Sequence, residues 1–183
     1  MTDGRPHDDD VRDVPDHVAR IQAEWARVRP DVDVSPQGVI GRLHRIAAHL
    51  TGELDKVFRE LELSAGEFDV LAALRRAGAP FERTPTELAT VTMITIGGLT
   101  KRIDRLELAQ LVERRVADED RRQRVVALTP AGLDAIDRAI EAHMANERRL
   151  LSVLSDEERV ALEALLTHWL RVSGEAPPRT ATP

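Results

Sequence analysis

The chain has 183 residues, 42% of them apolar and 32% charged, enough for one compact domain with extensions. It contains no cysteine, which excludes disulfides, thiolate nucleophiles, cysteine-based zinc sites and thiol redox sensing. The formal net charge of −6, from 26 basic and 32 acidic residues, taken as a sum speaks weakly against a nucleic-acid partner.

No apolar run approaches the roughly 18 residues of a membrane span. The opening "MTDGRPHDDD" lacks the apolar stretch of a signal peptide, so a cytoplasmic protein without a membrane partner is expected. Residues 1–12 and 174–183 are polar, Gly/Pro-rich and without periodicity, and they read as disordered tails.

Between the tails the pattern is mostly helical. After Pro15, the residues Val14, Val18, Ile21, Trp25 and Val28 step by four and three along one helix face. "DVDVSPQG" interrupts that helix, and Ser35 followed by Pro36 predicts the N-cap of a second one. This longer helix carries Val39, Leu43, Ile46, Leu50, Leu54, Val57 and Leu61 on one face. Ser64 and Glu67 form a capping box ahead of a helix with Phe68, Leu71 and Leu74. "TPTE", from Thr84 to Glu87, is a second capping box on a short helix ending near Val91. "TMIT" links it tightly to a helix over about Ile96 to Ala109.

Two short strands follow, "LVERRVA" (111–117) and about 122–129, with a charged tip between them. Thr129-Pro130 opens a long helix with Leu133, Ile136, Ile140, Met144 and Leu151. Ser155 and Glu158 form a third capping box, ahead of a helix with Val160, Leu162, Leu165, Leu166 and Trp169. A helix–turn–helix followed at once by a hairpin predicts a mainly α fold with a small β-hairpin wing, a winged helix-turn-helix. The flanking helices are too apolar for a monomer of this size and predict a homodimer built from the two ends of the chain. The expected organisation is N-terminal helices for dimerisation and a ligand pocket (13–63), a DNA-binding winged helix (64–129) and C-terminal dimerisation helices (130–173).

Charge distribution qualifies the net sum. Thr84 to Leu128 holds eight basic and seven acidic residues, +1 locally against −7 elsewhere. On a wheel of Ile96 to Ala109, the residues Ile96, Leu99, Ile103 and Leu106 form the apolar face. Gly98, Lys101 and Arg105 point most directly outward, and Arg102 flanks the apolar face, free to turn inward. Small residues at a helix N-terminus permit close approach to DNA, and Thr, Lys and Arg supply donors to phosphates and base edges. Thr95, Gly97, Gly98, Thr100, Lys101 and Arg105 are therefore candidate DNA contacts. The alternative is an ordinary solvated helix face, but Gly97-Gly98 costs roughly 2 kcal/mol of helix propensity and calls for a compensating role. At the hairpin tip, Arg121 and Arg122 are placed to enter a narrow minor groove, with Asp118 and Asp120 holding them in position.

"DEDRRQRVVALTPAG", with "LTKRIDRLELAQLVERR" ahead of it, resembles the wing signature of the MarR family of bacterial transcription regulators over about residues 36–172. The resemblance implies a homodimeric winged-helix protein that binds a palindromic double-stranded DNA operator and responds to a small molecule. Repression is the expected outcome, with activation left open by the sequence, and no cofactor is expected. "EWARVRP", "EFDVL", "KRIDRL" and "VERR" further resemble the urate-responsive branch of the family. That resemblance places the ligand site on Trp25, Asp69, Arg102 and Arg114. Guanidinium donors and an aromatic contact suit a planar purine anion. Trp25 as a core residue, and Asp69 with Arg114 as a structural ion pair, are the bland readings of the same residues.

A phenolic or other aromatic anion, or a metal held by His44, His49 and Glu53, is the alternative effector. A dimeric interaction module without DNA binding leaves the paired wing arginines unexplained. No HExxH, nucleophile elbow or Gly-rich cofactor loop appears, so no catalytic residue, metal ligand or cofactor is assigned.

Overall fold

The computed structural model describes residues 14–92, 96–117 and 123–174, with only the backbone of 96 and 97. It divides into two compact units, Met1–Gly52 and Glu53–Pro183. The division falls inside a predicted helix rather than at its end.

The first unit holds α1 (His17–Val28) and the greater part of α2 (Gln37–Glu60). Asp16 caps α1: its carboxylate accepts from the Ala19 N–H at 2.8 Å and from Arg42 at 2.7 Å. The Ala19 N–H, then Arg42, holds that carboxyl below its ordinary value. Val18 packs where α1 meets α2, because Gly41 leaves room; a Cβ there would stand 3.2 Å from a Val18 methyl. Ser35 does not act as the expected side-chain cap. Its hydroxyl donates to Asp33 at 3.1 Å, while its carbonyl accepts from the Gly38 N–H at 2.9 Å. The apolar stripes read from the sequence are only partly covered: Trp25, Val28, Val39 and Ile46 remain exposed. Gly52, inside α2, has open space where a side chain would go. Gly52→Ala should therefore raise stability by about 0.5–1 kcal/mol, through helix propensity and a less flexible unfolded chain. Denaturant titration measures it; a destabilised variant would mean that this position is not open.

In the second unit, α3 (Ala65–Arg76) is the hub. Val70, Leu71, Ala73 and Leu74 are fully buried, because α5 (Ile96–Leu108), α6 (Pro130–Leu151) and strand β3 (Arg124–Leu128) all pack on it. A helix apolar on most sides is a central one. The capping box at its start is formed in full by Ser64 and Glu67. The boxes at α4 (Pro85–Val91) and α7 (Asp156–Val172) also form as the sequence predicts.

The two expected strands are β2 (Val112–Val116) and β3, and a third joins them, β1 (Glu82–Arg83). The sheet is antiparallel in the order β1-β3-β2, with Glu82 opposite Ala127 and Val112 opposite Leu128. Phe58 from the end of α2 packs with Phe68 and His143, at ring separations of 4.7 and 5.4 Å.

Helices α2 and α5 end alike. The Leu63 N–H reaches the Phe58 carbonyl and the Leu111 N–H reaches the Leu106 carbonyl, both at 2.9 Å. The turning residues are Glu62 and Gln110, at φ 57° and 59°, where glycine is the usual occupant. The second of these turns feeds β2 and receives the start of α6. Thr129 there donates its N–H to the Leu111 carbonyl at 3.1 Å and its hydroxyl to the Gln110 carbonyl at 2.7 Å.

Candidate nucleic-acid interface

Helices α4 and α5 form the helix–turn–helix. Thr84 and Glu87 fix the start of α4, and the buried Leu88 anchors it. Thr92 closes its end, donating from its hydroxyl to the Leu88 carbonyl at 2.6 Å. Leu99, Ile103 and Leu106 seat α5 in the core, each no more than 3% exposed. That leaves Thr100, Lys101 and Arg105 on the outer face, with Gly98 half-buried between the two surfaces. The wheel drawn from the sequence thus matches the faces of the helix. Thr95 lies outside the described residues, and Gly97 is seen only as helical backbone.

Arg105 extends into solvent with its guanidinium 3.9 Å from the Glu67 carboxylate. The other oxygen of Glu67 is committed to the capping box, accepting from the Ser64 N–H at 2.8 Å and its hydroxyl at 2.7 Å. An exposed Arg105 can exchange this distant ionic contact for a phosphate at little cost, since a solvent-screened pair contributes only about 0–1 kcal/mol.

The hairpin follows α5 directly in the chain. Five residue pairs hold β2 to β3, from Val112–Leu128 to Val116–Arg124, and the Ala117 N–H donates to the Gln123 carbonyl at 2.9 Å. Its tip, with Asp118, Asp120, Arg121 and Arg122, lies outside the described residues. Arg115 braces the hairpin base, 2.5 Å from Glu82 of β1. The sequence offers no sign of this pair, because β1 is too short to show a period. Arg124 stands exposed at the start of β3, a further cation beside the tip that sequence reasoning counted but did not assign.

The expected ligand residues are differently placed. Arg102 does turn inward, its Nη1 donating to the Gly98 carbonyl at 3.0 Å. Asp69 is half-buried on α3. Arg114, on β2, forks onto two carboxylates of α5, Asp104 and Glu107, and its own N–H donates to Glu107 at 3.2 Å. Burial alone would lower the Arg114 pKa; the Asp104 and Glu107 carboxylates outweigh it and raise the value above ordinary. Arg114 is therefore ion-paired, but its partners are Asp104 and Glu107 of α5, whereas the bland alternative had paired it with Asp69. Trp25, in the first unit, is 47% exposed on α1.

Among the described residues no group of three His, Cys, Asp or Glu side chains is placed to hold a metal ion, and no helix is long and apolar enough to cross a membrane. Glu53 is engaged by Lys56 at 2.5 Å and by Arg149 at 2.6 Å.

Known proteins carry the same arrangement. A family model described as "MarR family" matches residues 61–123, from the end of α2 into the wing. The HTH-type transcriptional regulator PecS of Dickeya dadantii is 45% identical over 149 residues, covering 81% of this chain and 90% of PecS. Among solved structures, a MarR mutant from E. coli complexed with operator DNA aligns over 80% of this chain and 97% of its own, at 27% identity and a TM-score of 0.61. Bordetella bronchiseptica BpsR, whose DNA binding is regulated by 6-hydroxynicotinic acid, aligns over 71% and 97%, at 26% identity and a TM-score of 0.60. With a helix–turn–helix seated on α3, a wing braced by β1, and a regulator nearly half identical along nine-tenths of its length, this chain is a DNA-binding transcriptional regulator of the MarR family.

Proposed function

We propose that this regulator works as a homodimeric repressor, binds a palindromic operator through α5 and the wing, and is released by a small aromatic anion, with urate the first candidate. The observation that carries the ligand-coupled part is the Arg114 fork onto Asp104 and Glu107. An anion that draws the Arg114 guanidinium to itself uncovers two carboxylates on the helix that reads DNA. Those carboxylates then repel phosphates beside Lys101 and Arg105. Arg102 on the same helix, with Asp69 in the proposed set, gives the anion a second guanidinium, and the sequence resemblance adds Trp25 as its aromatic contact. The 6-hydroxynicotinic acid response of BpsR supports an aromatic anion as the class of effector.

The test pairs a mobility shift of a fragment from the protein's own promoter region with calorimetry of urate and of 6-hydroxynicotinate. Urate should bind the free protein and weaken its hold on the fragment. DNA must then weaken urate binding by the same factor, a coupling of about 1–3 kcal/mol in typical cases. Absence of both heat and release at millimolar urate sinks the urate assignment. Heat and release with 6-hydroxynicotinate alone would support the second effector.

Two recognition helices of the dimer should lie about 34 Å apart, one turn of DNA. Arg122→Ala at the wing tip should weaken operator binding by about 1–3 kcal/mol with an unchanged melting temperature. Equal affinity for the variant and the parent would reduce the wing to a turn.

A further inference from the structure

Helix α5 carries three cations on consecutive or neighbouring turns, Lys101, Arg102 and Arg105, yet it shows only two of them to solvent on its outer face. The third is seated where no side chain stands in its way, over Gly66 in the first turn of α3. A Cβ built on Gly66 would stand 1.9 Å from Arg102 Nε and 2.7 Å from both its Cδ and Cζ. Real side chains never approach so closely, so the shaft of Arg102 lies directly over the bare backbone of that turn. The arrangement is completed at the far end, where Arg102 Nη1 donates to the Gly98 carbonyl one turn back along α5.

We infer that Gly66 is a positioning residue: it is the cradle that parks Arg102 along α3 and keeps its charge off the DNA-facing surface of α5. Leu99, Ile103 and Leu106 fix α5 in the core, and the Ser64–Glu67 capping box fixes the first turn of α3. The two backbones therefore cannot separate easily. The arginine side chain is the part that yields when the cradle is filled. Its flexible shaft then swings to the outer face beside Lys101 and Arg105, adding a cation to the surface that meets phosphate. The same parked position is what presents Arg102 to the proposed effector, so a single glycine sets both the resting charge of the recognition helix and the availability of one ligand residue.

The inference rests on α5 being the DNA-reading helix only for its functional consequence, and the experiment separates the two. Gly66→Ala, Arg102→Ala and the double variant are compared with the parent in full-length protein. The parking itself is read by NMR from the Arg102 Nε–H, identified as the signal missing in Arg102→Ala. In the parent it should exchange with solvent more slowly than those of exposed arginines such as Arg27, and in Gly66→Ala it should become as fast as they are. Equal exchange in parent and Gly66→Ala overturns the cradle whatever the protein does with DNA.

The consequence is read by operator titration over a range of salt. Gly66→Ala should bind about threefold to tenfold tighter, with a salt slope steeper by about 0.9, the value for one added phosphate contact. In the Arg102→Ala background the same substitution should change neither quantity. Unchanged or weaker binding by Gly66→Ala, or an equal change with and without Arg102, overturns the role on DNA. Failure of every variant and of the parent to shift the operator fragment, with the exchange difference intact, would instead count against the operator reading.

Discussion

Gly132→Ala should lower the melting temperature of this protein by about 10 °C, corresponding to roughly 3 kcal/mol for a unit of this size. A Cβ at Gly132 would stand 1.8 Å from the Leu111 carbonyl oxygen and 2.8 Å from its carbon. Both are backbone atoms, so no rotamer change relieves the overlap. The start of α6 must move away from the turn that ends α5. That movement strains two hydrogen bonds, from the Thr129 N–H to Leu111 and from the Thr129 hydroxyl to Gln110, each contributing about 1 kcal/mol. Overpacking adds about 1–3 kcal/mol. The gain in helix propensity is at most about 1 kcal/mol, so the loss wins. Thermal melting followed by circular dichroism checks it, with Gly52→Ala as the opposite-signed companion. A midpoint within about 2 °C of the parent would show that the turn and α6 slide apart freely.

The double variant Leu166→Glu/Trp169→Glu should turn the proposed dimer into a monomer and weaken operator binding at least about a hundredfold. Helix α7 has 17 residues and buries none of them within its own chain. Leu162, Leu165, Leu166 and Trp169 nevertheless follow the spacing of a single apolar face, and all four are exposed. Most of the stability of a helix in a protein comes from packing of its apolar face rather than from propensity. A second copy of the chain supplies that packing in our proposal, with an interface of about 2,000 Å² or more for an obligate dimer. Each such side chain contributes about 1.5–3 kcal/mol when buried, and the symmetry of the dimer doubles every loss. Two carboxylates per copy would face each other across the former contact. Light scattering at micromolar concentration gives the mass, and retention of the dimeric mass by the variant would place the interface elsewhere.

What the sequence disclosed depended on how locally the information was written. The boxes at Ser64–Glu67, Thr84–Glu87 and Ser155–Glu158 lie within one turn each, and all three formed as read. The face of α5 was equally legible, because three buried residues at helical spacing leave no choice about which side meets solvent. Even the inward turn of Arg102 followed from its angle on the wheel. Strand β1 was missed because two residues have no period, and its partner Ala127 lies 45 residues from Glu82. The ends of α2 and α5 were blurred for a different reason: Glu62 and Gln110 adopt the left-handed turn without the glycine that normally announces it.

The candidate site shows the same division. Its residue types were visible, but the pairing of Arg114 with Asp104 and Glu107 arises only when β2 lies along α5. The capping-box reading passed over Gly66, since its importance depends on an arginine from another helix. Exposed Val39 and Ile46 mark the opposite limit: an apolar stripe tells where a surface wants to be covered, not whether the same chain covers it.

The aromatic content of the chain has an optical consequence. There is no tyrosine, and the two tryptophans are Trp25 on α1 and Trp169 on α7, 47% and 41% exposed. The buried aromatic packing consists of Phe58, Phe68 and His143, which scarcely emit. Tryptophan emission from this protein is therefore blind to the winged-helix core and sees only two peripheral helices. A blue shift on raising the protein concentration would record the covering of α7, and quenching by a purine would record an arrival at α1. Single substitutions separate the two signals, because Trp169→Phe leaves α1 as the sole emitter, and Trp25→Phe leaves α7.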